Sequence, residues 1–180
     1  MKKLLEKFKQ EKKVISIYND SADTGSCWTG FVSEVDEDYV LIAHFSKDGF
    51  YDGFCLHAID GILNIEQGTY YENKTHKLYE LRKQSHSTLS LNMCGGLLEA
   101  ILAYAKEEEV FISITLVEDD EYPPTGLVKE LTEDFVCILN FDSDGTENGF
   151  SYIKKENIHQ VFVDSLSEQN LALLYNDLNK

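Results

Sequence analysis

The amino-acid sequence matches itself. Residues 29–54 align without a gap to residues 125–150 at an offset of 96, and 13 of the 26 positions are identical. The identities include Thr29, Gly30, Val32, Glu34, Val40, Ile42, Phe45, Asp48, Gly49, Gly53 and Phe54, which pair with Thr125 through Phe150. The match extends outward in a physically sensible way. Thr69-x-x-Glu72 stands opposite Ser165-x-x-Glu168, and both have the form of a capping box opening a helix. Leu78-Tyr79 then pairs with Leu174-Tyr175, while Leu5 and Phe8 stand opposite Ile101 and Tyr104. Whatever this chain folds into must therefore be built from one small unit used twice. The reading places a first helix-barrel-helix repeat at 1–84, a linker at 85–92 and a second repeat at 93–180.

Within each copy the central pattern is strand. Residues 14–18 and 110–116 are rich in β-branched side chains, with a one-residue slip that sets Ile15 and Ile17 against Ile112 and Ile114. Strands follow at 28–35 and 39–45, joined by Asp36-Glu37-Asp38, with Thr132-Glu133-Asp134 in the second copy. Asp48-Gly49, echoed by Asp144-Gly145, supplies the positive φ of a hairpin turn. Phe54, Leu56 and Ala58 alternate along a fourth strand, and Ile62 and Ile65, echoed by Ile158 and Val161, mark a fifth. Helices are expected at 70–83 and 93–108.

Five short antiparallel strands after a helix is the order of the Sm-like fold, and the residues carry that comparison further. Gly30, Val32, Asp36 and Tyr39 resemble the first Sm motif, whereas the second copy keeps Gly126, Val128 and Phe135 but has Thr132 for the Asp. Ile153-Lys154-Lys155-Glu156-Asn157-Ile158 resembles the second motif; His57-Ala58-Ile59-Asp60-Gly61-Ile62 is further from it. The resemblance implies a mainly β fold with helices, of α+β class: two tandem five-stranded Sm-like (SH3-like) barrels, each flanked by helices. It also implies three uridine readers: a stacking aromatic, an Asn after it and an Arg. The aromatic persists as Tyr39 and Phe135, but the Asn place holds Val40 and Val136, and the Arg place holds Ala58 and Lys154.

Charge bounds the partners. The chain has 16 basic and 32 acidic residues, a net charge of −16, and such a field repels phosphate backbones and anionic lipids. RNA binding through Tyr39, Phe135 and Lys154 is therefore the alternative reading, not the first one. Glu118-Asp119-Asp120-Glu121, before Tyr122-Pro123-Pro124, is the densest acidic run and a candidate contact for a basic protein, or else a solvated loop. A third reading, resting on charge alone, is an acidic mimic of nucleic acid.

Catalytic and metal chemistry find no foothold. Cys27, Cys55, Cys94 and Cys137 form no C-x-x-C pair, and the five histidines are scattered, which leaves no zinc pattern and suggests reduced thiols. Asn140-Phe141-Asp142-Ser143-Asp144-Gly145 resembles the start of an EF-hand loop, but its twelfth position is Ser151 where a bidentate Glu is needed, so a hairpin turn is expected. No nucleophile, base and orienting acid are singled out, and no glycine-rich phosphate loop is present. The expectation is a cytoplasmic, non-catalytic interaction protein without cofactor, binding a protein partner or copies of itself through edge strands and loops.

Overall fold

The computed structural model describes residues 1–20, 25–116 and 123–179, which divide into two compact units, Met1–Leu89 and Ser90–Lys180. Glu118, Asp119, Asp120 and Glu121 lie outside the described residues. Unit 1 runs α1 (Lys2–Gln10), β1 (Val14–Tyr18), β2 (Trp28–Val35), β3 (Tyr39–Phe45), β4 (Tyr51–Ala58), a 3-10 turn, β5 (Asn64–Gln67) and α2 (Tyr70–Leu81). Unit 2 runs α3 (Leu97–Glu107), β6 (Phe111–Leu116), β7 (Thr125–Leu131), β8 (Phe135–Phe141), β9 (Glu147–Lys154), a 3-10 turn, β10 (Ile158–Val163) and α4 (Leu166–Leu178). The element order is the same in both.

The two five-stranded barrels expected from the sequence are not formed. The five strands of each unit form an antiparallel run that does not close on itself. Within unit 1 the strands lie in the order β5-β1-β2-β3-β4, and within unit 2 in the order β10-β6-β7-β8-β9. The fourth and fifth strands of each unit are thus at opposite ends of its run. The reason is a matter of edges. After the 3-10 turn Ile59–Gly61 the chain returns along β1, pairing Ile17 with Ile65 and Ile15 with Gln67. Apolar alternation says which face of a strand is buried, not which neighbour its backbone pairs with, so it could not decide closure.

Each unit packs a core on one sheet face beneath its first helix. In unit 1, Leu5 and Phe8 of α1 meet Ile15, Ile17, Val32, Val40, Ile42 and Ile62. Lysines at two ends of α1 fasten it to the strand below, Lys9 to Glu34 at 2.6 Å and Lys2 to Glu37. In unit 2, α3 lies across β7, and the buried Lys155 ammonium donates to the Glu99 carboxylate of α3 and to the Thr132 carbonyl. The second helix of each unit covers the opposite face. Phe31, Phe45 and Tyr79 pack with Val14 under α2, and Phe111, Leu127, Leu139 and Phe141 pack with Leu171 under α4.

Two devices seat those covering helices. Gly49, at φ +74°, turns the chain between β3 and β4 so close to α2 that a Cβ would lie 2.5 Å from the Tyr79 nitrogen; Gly145, at φ +88°, would meet the Tyr175 nitrogen at 2.8 Å. Only glycine combines that conformation with that approach. The second device is polar. Glu72, 1% exposed, accepts from the Thr69 N–H at 2.8 Å, and its other oxygen accepts from the Ser16 hydroxyl at 2.7 Å; Ser16 also bonds to Thr29 at 2.9 Å. Glu168, 3% exposed, accepts from the backbone and hydroxyl of Ser165 and from Ser113, which accepts from Thr125 at 3.0 Å. The capping carboxylate therefore reaches through the helix start into the first hairpin.

A buried carboxylate removed from such a network leaves its donors without acceptors, at roughly 1–3 kcal/mol for each buried group. Glu72→Ala is expected to lower unfolding stability by about 2–3 kcal/mol, and Glu72→Gln, which keeps one oxygen acceptor, by clearly less. Urea denaturation of the two variants checks this; equal and negligible losses would show that the network does not hold the helix.

Candidate binding face

The clearest difference between the units lies on their fourth strands. In unit 1, Phe54 is 1% and Leu56 0% exposed; at the matching places on β9, Phe150 is 59% and Tyr152 68% exposed. In unit 1 the segment that follows α2 lies over β4. Gln84 accepts from the Tyr51 N–H at 3.0 Å, the His86 Nε2 sits 2.9 Å from the Gly53 carbonyl, and the His86 ring packs on Tyr51 and edgewise on Phe54. Tyr79 holds the other ring nitrogen at 2.9 Å. The match at offset 96 does not reach this segment.

On β9, Phe150 lies opposite Leu139, Tyr152 opposite Cys137 and Lys154 opposite Phe135. These side chains share one face, on which Phe150 and Tyr152 are exposed over the buried Leu139 and Cys137, with Tyr152 edge-on to Phe135 at 5.9 Å. β9 is also the last strand in the sheet order, eight residues long and hydrogen-bonded on one side to β8. An edge of this length is usually covered or blunted, because its outward N–H and C=O groups template another strand.

Acidity is concentrated in the same unit. Unit 1 holds 11 basic and 14 acidic residues, net −3; unit 2 holds 5 and 18, net −13. Around β9 the exposed carboxylates include Glu130, Glu133, Asp134, Asp142, Asp144, Glu147 and Glu156. The Tyr152 hydroxyl is held above the usual phenol range by the neighbouring Cys137, with Glu130 adding to the effect.

The residues singled out for RNA contact are divided. Phe135 and Lys154 are brought side by side as cross-strand partners, and the Lys154 ammonium sits 3.4 Å from Glu156. Tyr39 is half-buried at the start of β3 in unit 1, its hydroxyl pushed up to about 12 by burial and then by Asp38, Asp60 and Asp36. Carboxylates therefore surround each candidate stacking ring. Sequence reasoning assigns Phe150 to barrel structure because it repeats Phe54, and does not single out Tyr152. The available signal was the replacement of Leu56 by Tyr152 beside it.

Unit 1 carries a second cluster, built inward. The His44 Nδ1 lies 2.8 Å from the Thr29 carbonyl and its Nε2 3.7 Å from Asp52, while Trp28 packs edgewise on His44 and tilts over His57. Burial pulls the His44 pKa down, against the opposing pull of the Thr29 carbonyl and Asp52. No described set of three or more His, Cys, Asp or Glu residues is arranged to hold a metal, and no described helix is long and apolar enough to cross a membrane. The hairpin at Asp142 closes through its own backbone, Gly145 donating to Asp142 and Asp142 to Thr146.

A histidine kept neutral in the fold protonates first in the unfolded chain. Stability is therefore present above the unfolded His pKa of 6.5 and declines as pH falls below it. His44→Asn, which installs the residue found at position 140, is expected to flatten that decline, whose slope for one group is at most about 1.4 kcal/mol per pH unit. Urea midpoints at pH 7.5 and 5.5 for both proteins test it, and an unchanged pH difference would contradict the assignment.

Comparison with known proteins gives no match: no family model, no curated protein and no solved structure is similar to this chain.

Proposed function

We propose that this chain is a non-catalytic interaction protein that takes up an extended, basic segment of a partner protein along β9. The observation that carries the reading is the pairing of two properties in one place, an eight-residue strand that ends its unit's run and presents exposed Phe150 and Tyr152, inside a unit of net charge −13. Strand addition supplies main-chain hydrogen bonds, and alternate side chains of the incoming strand supply specificity. Burying the two rings would add about 1.5–3 kcal/mol each. Cationic side chains on the other face of the guest would meet the surrounding carboxylates, which raises the encounter rate more than the affinity.

Self-association through the same edge works against charge, since two molecules of −16 repel at long range. RNA is disfavoured on local grounds too. Lys154 is paired with Glu156, and Lys155 is committed to Glu99 and Thr132, so neither ammonium is offered to a phosphate without breaking a contact. Four free thiols, two of them buried, suit the reducing cytoplasm.

Titration of the isotopically labelled chain with an acetylated octapeptide alternating Lys and Val is the direct test. Amide shifts are expected to concentrate in residues 147–154, with affinity falling several-fold between 50 and 200 mM salt and again in Tyr152→Ala. Equal binding by the Glu and Val counterpart, or shifts that avoid β9, would overturn the reading.

A further inference from the structure

Beside the start of β9 lies a cavity of about 620 Å³, lined by Pro123, Pro124 and Thr125 at the entry to β7, Asn140 and Asp142 on β8 and its turn, and Asn148 and Ser151 on β9. Its polar chemistry is one-sided. The Asn140 Nδ2 donates to Ser151 at 2.8 Å, but its Oδ1 is shielded from solvent and receives no hydrogen bond among the described residues. Asn148 spends its Nδ2 on Asp142 at 2.7 Å, and the Thr125 hydroxyl lies 3.0 Å from both the Ser113 hydroxyl and the Pro123 carbonyl, so its single proton is used by one of them. Asn140 and Asn148 each turn an amide N–H to a neighbouring wall residue, and the Asn140 Oδ1 is left without a donor. An acceptor buried without a donor is costly, and protein interiors rarely leave one so.

The other unit shows what such a place can hold. At the 96-residue offset Asn140 corresponds to His44, Asn148 to Asp52, Ser151 to Cys55 and Pro124 to Trp28. In unit 1 the His44 Nδ1 is hydrogen-bonded to the Thr29 carbonyl, its Nε2 faces Asp52 at 3.7 Å, and the indole of Trp28 packs edgewise against it at 5.3 Å between centroids. In unit 2 a proline stands where the indole was, and the cavity is there. The residues at the places of Trp28 and His44, Pro124 and Asn140, line the cavity, so the wall carries an amide where unit 1 has an imidazole.

We infer that this cavity is a guanidinium site: it receives an arginine side chain, carried by the basic segment that docks on β9. The inference deepens the proposed function and rests on it for the source of the arginine. A guanidinium is planar, always charged, and has five donors and no acceptor, which complements the exposed Asp142 carboxylate and Asn148 amide oxygen, while the Asn140 Oδ1, shielded in the free protein, would gain its missing donor as the guest enters. Lysine offers the charge without the plane or the fork. Because Asn148 and Ser151 belong to β9 itself, the pocket would set the register of the docked strand as well as its sequence.

The test uses the whole labelled chain and N-acetyl-arginine methylamide as the probe, followed through the side-chain amide signals of Asn140 and Asn148. Saturable shifts are expected, at least threefold tighter than for the lysine analogue and absent for the uncharged citrulline analogue. Asn140→Leu should abolish them; Asp142→Asn, at the exposed turn, should weaken them several-fold without disturbing the core; and Asn140→Asp should strengthen them. No shift at either side chain, or equal shifts from lysine and citrulline, would overturn the guanidinium site. The octapeptide titration reads separately: if the Lys and Val peptide binds β9 while the arginine probe leaves Asn140 untouched, the pocket inference falls and the docking edge stands. If the probe binds and the peptide does not, the pocket stands and its arginine comes from elsewhere.

Discussion

Everything on the outer face of this protein is referred to one buried contact, the carboxylate that closes a capping box and at the same time holds the first hairpin. A capping glutamate ordinarily sits at the surface and satisfies one orphan N–H. Here Glu72 and Glu168 are almost fully buried and also accept a serine hydroxyl from the first strand of their unit. The helix start and the strand are thereby fixed to each other with hydrogen-bond precision. From that anchor α2 and α4 lie across their sheets, the Gly49 and Gly145 turns press against them, and the aromatic rings beneath are trapped.

Because the same frame is built twice, the departures between units stand out as chemistry. In unit 1 the segment carrying Gln84 and His86 lies on β4 and protects Phe54, and Trp28 fills the space beside His44. In unit 2 the corresponding strand presents Phe150 and Tyr152, and Pro124 and Asn140, at the places of Trp28 and His44, line a cavity. Thirteen of the net negative charges collect in that unit. An apolar strand edge, an acceptor-lined pocket and a negative field coincide, and each selects for the same guest: extended, amphipathic and cationic.

Much of the local structure was legible because it is written in short-range rules. Thr69-x-x-Glu72 and Ser165-x-x-Glu168 announced their helices, and Asp48-Gly49 and Asp144-Gly145 their turns, since caps and positive φ are properties of neighbouring residues. The one-residue slip in the first strands was visible too, and it is what sets Ser16 and Ser113 in corresponding positions below the two carboxylates. Long-range pairing was not legible. Residues 58–67 fix a short fifth strand but not its neighbour, and the barrel expected from its count was lost when it paired with β1 alone within its unit. Nor could identity of residue give identity of exposure. Phe54 and Phe150 are the same amino acid at matching places, yet Phe54 is buried and packs against His86, which lies outside the match, while Phe150 is exposed.

The central claim is that β9 is an edge kept open for a cationic strand, and hydrogen–deuterium exchange of its backbone amides tests it most directly. Amides of residues 147–154 that do not bond to β8 should exchange rapidly in the free protein at micromolar concentration, and become protected when the alternating Lys and Val octapeptide is added. Amides of β4 should be slow in both states. Slow exchange along the whole of β9 in the free protein, or exchange there unaffected by the peptide, would contradict it.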